Sequence, residues 1–249
     1  MINIEQIKIL QKLINETNNI VFFGGAGVST ESGVPDFRSK DGLYNQRDIQ
    51  FEKYEPEYLL SHSCLRDEPE VFFEYYRQKM DARHVKPNSA HQFLAKLEKA
   101  GKLSAILTQN IDGLHQKAGS QKVCELHGTT LRNYCSKCKK AYSEDYIFES
   151  IDLIPICECG GVIRPDVTLY EEELPDGVFD IAIDKIRNAD LLIIAGTSLK
   201  VYPAAGFVHY FRGKNMVVIN REKIDISLNA VDDLFICGSL GEVFGRLEI

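Results

Sequence analysis

Four cysteines fall in two close pairs, Cys135-x-x-Cys138 and Cys157-x-Cys159, with 18 residues (139 to 156) between the pairs. At this spacing each pair forms a tight knuckle, and the two knuckles can present four thiolates to one tetrahedral zinc ion. Cysteine at all four corners leaves no position for water, so such an ion would fold its module rather than catalyse. A redox dithiol is the competing chemistry, but that use needs one low-pKa cysteine and no second pair beside it. A second constellation is the loop Gly24-Gly25-Ala26-Gly27-Val28-Ser29, placed directly after an apolar run. Glycine removes the Cβ obstacle, so backbone N–H groups here can approach a pyrophosphate. The dinucleotide fingerprint G-x-G-x-x-G is not met, because position 30 is Thr30 and the next glycine is Gly33. Alone, the loop is a weak signal. His127 has a side chain suited to proton transfer, yet a lone histidine is more often a satisfied core or surface group.

The elements that must hold these residues are legible from apolar runs. Ile20-Val21-Phe22-Phe23 is short, continuous and rich in β-formers, and similar runs recur at Leu103 to Leu107, Leu191 to Ala195 and Met216 to Ile219, with a weaker one at Leu234 to Ile236. Strands apolar on both faces belong in a buried parallel sheet. Helical spacing appears at Ile7, Leu10, Leu13 and Ile14, and again from His91 to Lys99, Val178 to Arg187 and Ala204 to Phe211. Strands alternating with helices predict an α/β fold with a doubly wound, Rossmann-like parallel sheet and ligands at the carboxyl ends of its strands. Those ends carry the glycine loop, then Thr108-Gln109-Asn110-Ile111-Asp112-Gly113, Gly196-Thr197-Ser198 and Asn220-Arg221-Glu222. One polar strand end is an ordinary turn; four delivered to one edge favour a binding crevice.

Two stretches break the alternation. Asp36 to Pro87 reads as mostly helical, with Phe72, Phe73, Tyr75 and Tyr76 as an aromatic cluster expected to cover part of the sheet. The other, from about His127 to Arg164, holds the paired cysteines. Cys64, Cys124 and Cys237 are scattered and are expected to be small core residues.

Composition narrows the class. With 29 Lys+Arg against 36 Asp+Glu the formal charge is −7, which argues against a nonspecific polyanion binder. Lys137, Lys139 and Lys140 are offset by Glu144, Asp145, Glu149 and Asp152, so direct nucleic-acid binding is not expected. No apolar run reaches the ~18 residues of a membrane helix. The amino end, Met1-Ile2-Asn3-Ile4-Glu5, lacks a signal-peptide pattern, and seven cysteines is an odd number, so a cytoplasmic protein without a disulfide framework is expected.

The longer string Gly25-Ala26-Gly27-Val28-Ser29-Thr30-Glu31-Ser32-Gly33-Val34-Pro35-Asp36-Phe37-Arg38 resembles the signature of the sirtuins, the NAD-dependent protein deacylases. Further matches follow in family order: Thr108 to His115, Glu125-Leu126-His127-Gly128-Thr129, the cysteine pairs, Arg164-Pro165-Asp166-Val167, Gly196-Thr197-Ser198-Leu199 and Asn220-Arg221-Glu222. The resemblance spans roughly residues 20 to 245. It implies an NAD-binding body of residues 1–127 and 165–249, with a helical excursion at about 36–88, and a zinc-binding module of residues 128–164.

By this resemblance Gly25, Ala26, Gly27 and Thr30 line the pyrophosphate, and Asp36, Phe37 and Arg38 belong to a mobile cofactor loop in which Phe37 shields the reactive sugar carbon and Arg38 lies near the phosphates. Gln109, Asn110, Ile111 and Asp112 face the nicotinamide and its ribose, with Ile111 and Asp112 on the carboxamide. Gly196, Thr197, Ser198, Asn220, Arg221 and Glu222 hold the adenosine side, and Ser239 and Leu240 close on adenine. A carboxylate such as Glu222 can accept from two vicinal hydroxyls. His127, with Asn110 beside it, matches the family's catalytic pair, His127 being the general base. Imidazole suits the task because its pKa of ~6.5 leaves a large neutral fraction at neutral pH. In the family mechanism the acyl oxygen attacks the ribose carbon as nicotinamide leaves, and the histidine then deprotonates a ribose hydroxyl that attacks the imidate. His115 matches a family motif but is given no chemistry. Cofactors implied are NAD and one structural zinc on Cys135, Cys138, Cys157 and Cys159.

The partner implied is an acetyl-lysine protein or peptide added as a strand against Val167, Thr168, Leu169 and Tyr170, with nicotinamide as product and inhibitor. Here the sequence departs from the family's Phe-Gly-Glu, carrying Tyr170-Glu171-Glu172. Relatives that prefer succinyl groups have a Tyr-x-x-Arg pair where this chain has Phe73 and Tyr76, so an apolar acyl pocket is expected, favouring acetyl or longer aliphatic chains. The competing readings are protein mono-ADP-ribosyl transfer in the same pocket and a non-catalytic nucleotide-sensing or zinc-ribbon module. The leading expectation is NAD-dependent protein-lysine deacetylation yielding O-acetyl-ADP-ribose.

Overall fold

The computed structural model describes residues 2–46, 48–229 and 231–249, with Met1, Arg47 and Ala230 outside. Along the chain the strands are β1 (Ile20–Gly24), β2 (Leu103–Thr108), β3 (Val123–Glu125), β4 (Gly128–Cys135), β5 (Ala141–Ser143), β6 (Ile163–Val167), β7 (Leu191–Ala195), β8 (Asn215–Asn220) and β9 (Leu234–Cys237). The helices are α1 (Ile4–Glu16), α2 (His62–Asp67), α3 (Pro69–Met80), α4 (Ser89–Lys99), α5 (Leu114–Lys117), α6 (Asp145–Phe148), α7 (Val178–Asn188) and α8 (Leu240–Phe244).

Six strands form one parallel sheet in the order β3-β2-β1-β7-β8-β9. The chain leaves β1 through β2 and β3 on one side, then returns to add β7, β8 and β9 on the other. Connections therefore diverge between β1 and β7, and a crevice opens there beyond the carboxyl ends of the strands.

The unbroken apolar runs follow from burial on both faces. Ile20, Phe22, Ile106, Leu191, Ile193, Val217 and Ile219 pack with Leu10 and Ile14 of α1 and Leu94 and Leu97 of α4. Their sequence neighbours Val21, Phe23, Leu107, Leu192, Ile194 and Val218 pack on the opposite face with Ala182 and Ile186 of α7. Full burial of each large side chain stabilises the fold by ~1.5–3 kcal/mol. The segment from Ala204 to Tyr210, expected as part of an α-helix, is a 3₁₀ helix, led in by Pro203 and containing Gly206, whose N–H bonds the Pro203 carbonyl at 2.9 Å.

A smaller body carries the paired cysteines on an antiparallel sheet of order β5-β4-β6. The aromatic cluster of α3 does not cover the parallel sheet as expected. Phe72, Phe73, Tyr75 and Tyr76 instead share a core with Cys135, Cys157, Ile163, Val167 and Leu169. Polar ties add to this packing: Arg77 donates to the carbonyls of Ile147, Asp152 and Leu153, and Arg83 to the carboxylates of Asp145 and Glu149. Among the described residues of this excursion α-helix is confined to α2 and α3; residues 36–46 and 48–61 make short 3₁₀ turns and loops.

Of the three scattered cysteines, Cys64 is buried, Cys124 half-buried and Cys237 exposed. Cys237 departs from the expected core position because it ends an edge strand, where its thiol donates to the Arg221 carbonyl. Among the described residues no helix is long and apolar enough to cross a membrane.

Candidate functional site

A cleft of about 470 Å³ occupies the crevice between β1 and β7 and extends to the smaller body. The backbones after the two strands meet at its floor: the Gly27 N–H donates to the Gly196 carbonyl at 2.8 Å. A Cβ on Gly27 would lie 2.8 Å from Gly196 Cα, and one on Gly25 would lie 2.8 Å from Gln109 Oε1. Glycine is required at both positions by this close approach and not by a left-handed φ, which neither adopts.

The cleft wall carries Ala26, Gly27 and Thr30; Asp36, Phe37 and Arg38; Gln109, Asn110 and Ile111; and His127. It also carries Gly196, Thr197 and Ser198; Asn220, Arg221 and Glu222; Ser239 and Leu240; and Val167, Thr168, Leu169 and Tyr170. Gly25 and Asp112 lie behind the wall. Tyr76, expected from sequence at the acyl pocket, lines it too, and so do Glu31, Leu60 and Tyr202, which were not given a role from sequence. Glu31 lay within the quoted signature, whereas Leu60 comes from a part of the excursion where no spacing rule pointed at the cleft.

His127 follows β3 and precedes β4, where the two bodies join. Its Nδ1 lies 3.0 Å from the Gln109 carbonyl oxygen, which can only accept, so Nδ1 carries the proton and Nε2 of the neutral ring is left as a base. Burial pushes this imidazole below its ordinary pKa, against the opposing effect of the Gln109 carbonyl. The ring is therefore neutral at physiological pH.

Behind it a buried polar network fixes Asn110. The Asn110 amide donates to Ser29 Oγ at 3.0 Å, and Ser29 donates to Asp112 Oδ2 at 2.6 Å. His91 Nδ1 lies 3.0 Å from Asn88 Oδ1 and 3.3 Å from the Asn88 N–H, and its Nε2 faces Ser29 Oγ at 3.5 Å. The other oxygen of Asp112 accepts from the Leu114 N–H at 2.9 Å, so both of its oxygens are engaged within the protein. Burial raises the Asp112 pKa, with the Ser29 and Leu114 bonds pulling the other way. Gln109 Oε1 accepts from the Thr197 hydroxyl at 2.9 Å, while its Nε2 is buried without a partner, a donor available to a polar ligand.

The Val167 to Tyr170 segment links the two bodies. The Thr168 N–H donates to the His127 carbonyl at 2.9 Å, and Tyr170 pairs with the excursion through Leu60 and His62, both at 3.0 Å. Glu171, standing where the sirtuin pattern has glycine, adopts a left-handed φ of 74°. Its carboxylate accepts from the N–H and hydroxyl of Ser63 at 2.9 and 2.7 Å, which offsets a backbone cost of ~1–2 kcal/mol. Glu172 takes a bidentate bond from Arg164 and also accepts from the Leu169 N–H, fixing the segment from below.

The four paired cysteines converge, with all Sγ atoms within 4.8 Å of one another. A tetrahedron of ~2.3 Å zinc–sulfur bonds has edges of ~3.8 Å, and the separations of Cys135 from Cys159 (3.4 Å) and Cys138 from Cys157 (3.6 Å) fit it. Donors surround the sulfurs: the N–H groups of Lys137 and Cys138 point at Cys135 Sγ, and the Tyr142 hydroxyl lies 3.0 Å from Cys157 Sγ. The Cys138 N–H, first among these, draws the Cys135 thiol down to about 6, the thiolate form that binds metal.

A model of the Sir2 family matches residues 25–203. The chain is 54% identical over 245 residues to an NAD-dependent protein deacetylase of Clostridium perfringens, covering 98% of each chain. Among solved structures it is similar to Sir2 bound to acetylated peptide (TM-score 0.82, 35% identity, 96% of each chain). It is also similar to Sir2 with p53 peptide and NAD+ (TM-score 0.79, 37% identity, 96% of each chain).

Proposed function

Because the chain belongs to the Sir2 family, we propose that it is an NAD-dependent protein-lysine deacetylase that passes the acetyl group to ADP-ribose and releases nicotinamide. The observation that carries this reading is the free Nε2 of His127 in a cleft whose wall joins the glycine floor to the Val167 to Tyr170 segment. NAD supplies the ribose carbon that accepts the acyl oxygen as nicotinamide departs. His127 removes the ribose hydroxyl proton through Nε2, its Nδ1 proton held by Gln109. Asn110 presents its amide oxygen to the cleft, because its nitrogen is committed to Ser29. Ala26, Gly27 and Thr30 cradle the pyrophosphate, with Gly25 behind them allowing the close packing, and Gly196 to Ser198, Asn220 to Glu222, Ser239 and Leu240 take the adenosine side. Ile111 bears on the carboxamide, with Asp112 acting from behind the wall. Cys135, Cys138, Cys157 and Cys159 hold one structural zinc, and four reduced thiols fit a cytoplasmic protein.

The acyl chain meets Leu60, Tyr76, Val167 and Leu169. Arg77, next to Tyr76, is spent on three backbone carbonyls and offers no counter-charge to an acidic acyl group. Acetyl and longer aliphatic groups are therefore preferred to succinyl.

Mixing the protein with acetyl-lysine peptide and NAD tests the reading by mass spectrometry of the products. Nicotinamide, O-acetyl-ADP-ribose and deacetylated peptide are expected in equal amounts. ADP-ribose retained on protein, without O-acetyl-ADP-ribose, would assign the chain to ADP-ribosyl transfer.

A further inference from the structure

The segment from Asp36 to Asn45 is bonded chiefly to itself. Asp36 Oδ1 accepts from the N–H groups of Arg38 (3.0 Å) and Ser39 (2.7 Å), while the carbonyls of Asp36 and Phe37 accept from Leu43 (2.7 Å) and Tyr44 (3.0 Å). The rings of Phe37 and Tyr44 meet edge to face at 5.5 Å. A loop closed on itself in this way needs an outside attachment to fix where its side chains sit in the cleft.

Tyr170 provides one. Its hydroxyl accepts from Arg38 Nη2 at 3.1 Å and shares a hydrogen bond of 2.5 Å with the Tyr44 hydroxyl. The Arg38 guanidinium is further set by the Tyr44 ring, 5.3 Å away, and by Glu57 at 3.8 Å. Burial first, then the bond to Tyr170, pushes the Tyr44 pKa up, so its proton stays in place. Tyr170 is itself anchored, since its N–H and carbonyl pair with Leu60 and His62. The sirtuin pattern has phenylalanine here, so the ring alone suffices for packing and the hydroxyl is free to serve another contact.

We propose that Tyr170 is a positioning residue whose hydroxyl fastens the Asp36 to Asn45 loop to the peptide-side wall and so preorganises Arg38 toward the dinucleotide pyrophosphate. The inference rests on reading the cleft as an NAD site. An arginine already held in place loses less side-chain freedom when an anion binds. It also makes one residue common to the peptide seat and the cofactor loop.

Calorimetric NAD binding to the full-length wild type, Tyr170→Phe, Tyr44→Phe and the double variant tests this without relying on turnover. Wild-type protein that fails to bind NAD would sink the underlying reading. If it binds, Tyr170→Phe is expected to weaken NAD roughly threefold to tenfold, the loss of one or two modest hydrogen bonds. KM for NAD should rise by a similar factor with kcat nearly unchanged. The double variant should cost little more than the worse single one, because both remove the same hydroxyl pair. Unchanged or tighter NAD binding in Tyr170→Phe, or additive losses in the double variant, would overturn the proposal, whatever happens to the melting temperature.

Discussion

His127 Nδ1 donates to the backbone carbonyl of Gln109 at 3.0 Å, so the neutral imidazole meets the cleft through an unprotonated Nε2. The bond spans the end of β2 and the start of the smaller body, and orients the base by main chain rather than by a carboxylate. Among the described residues no acidic partner raises the imidazole, and burial lowers it. Deacetylation should therefore keep its rate on acidification to pH 6.5 and lose it only through a pKa below that ordinary histidine value. A kcat/KM profile for acetyl-peptide that is already half lost above pH 7 would contradict this.

Stability should depend on acid through other groups. Burial holds His91 at about 4, and burial with the neighbouring His91 ring holds His115 at about 3. Both are depressed, so the unfolded chain binds more protons below pH 6.5 and stability falls as pH drops toward 4. At ~1.4 kcal/mol per unit, His91 alone accounts for about 3 kcal/mol at pH 4. Against burial, Arg164 draws Glu172 down to about 2, adding a loss below pH 4.5. Asp112, raised by burial, works in the opposite sense and offsets part of this. The melting temperature should be flat above about pH 6.5 and decline steadily below it. His115→Leu, which removes two unpartnered ring nitrogens, should shallow the decline. A wild-type melting temperature constant from pH 7 to 4 would refute the assignment.

Zinc retention should depend on a residue that is not a ligand. The Tyr142 hydroxyl donates to Cys157 Sγ, stabilising thiolate. Loss of such an outer hydrogen bond typically costs ~10–100-fold in metal affinity. Tyr142→Phe should release zinc to a competing chelator at correspondingly lower concentration, while Cys135→Ser should abolish stoichiometric zinc and lower the melting temperature. Equal chelator resistance in Tyr142→Phe and wild type would remove Tyr142 from the site's support.

The parallel sheet was readable because four of its strands, β1, β2, β7 and β8, are buried on both faces, as Phe22 and Phe23 are, and continuous apolar runs are hard to place elsewhere; β9, at the edge, is only partly buried and gave the weaker run. The sixth, Val123–Glu125, is three half-buried residues, too short for any periodicity. The cysteine spacing anticipated a cluster of four sulfurs, since each short knuckle fixes its pair locally. The excursion was misjudged for a related reason. Its aromatic residues announce burial but not the partner, and nothing in Phe72 or Tyr76 distinguishes the sheet from the cysteine module. Asp112 shows the same limit within the site: a motif names the residue, but only the fold shows that Ser29 and Leu114 occupy both its oxygens.

Single-turnover deacetylation by His127→Ala, with NAD binding measured in parallel, tests the central claim most directly. The variant is expected to bind NAD within a few-fold of wild type, yet to lose acetyl transfer by ~10²–10⁴, the usual contribution of a positioned general base. Acetyl transfer within threefold of wild type would contradict the assignment of Nε2 as that base.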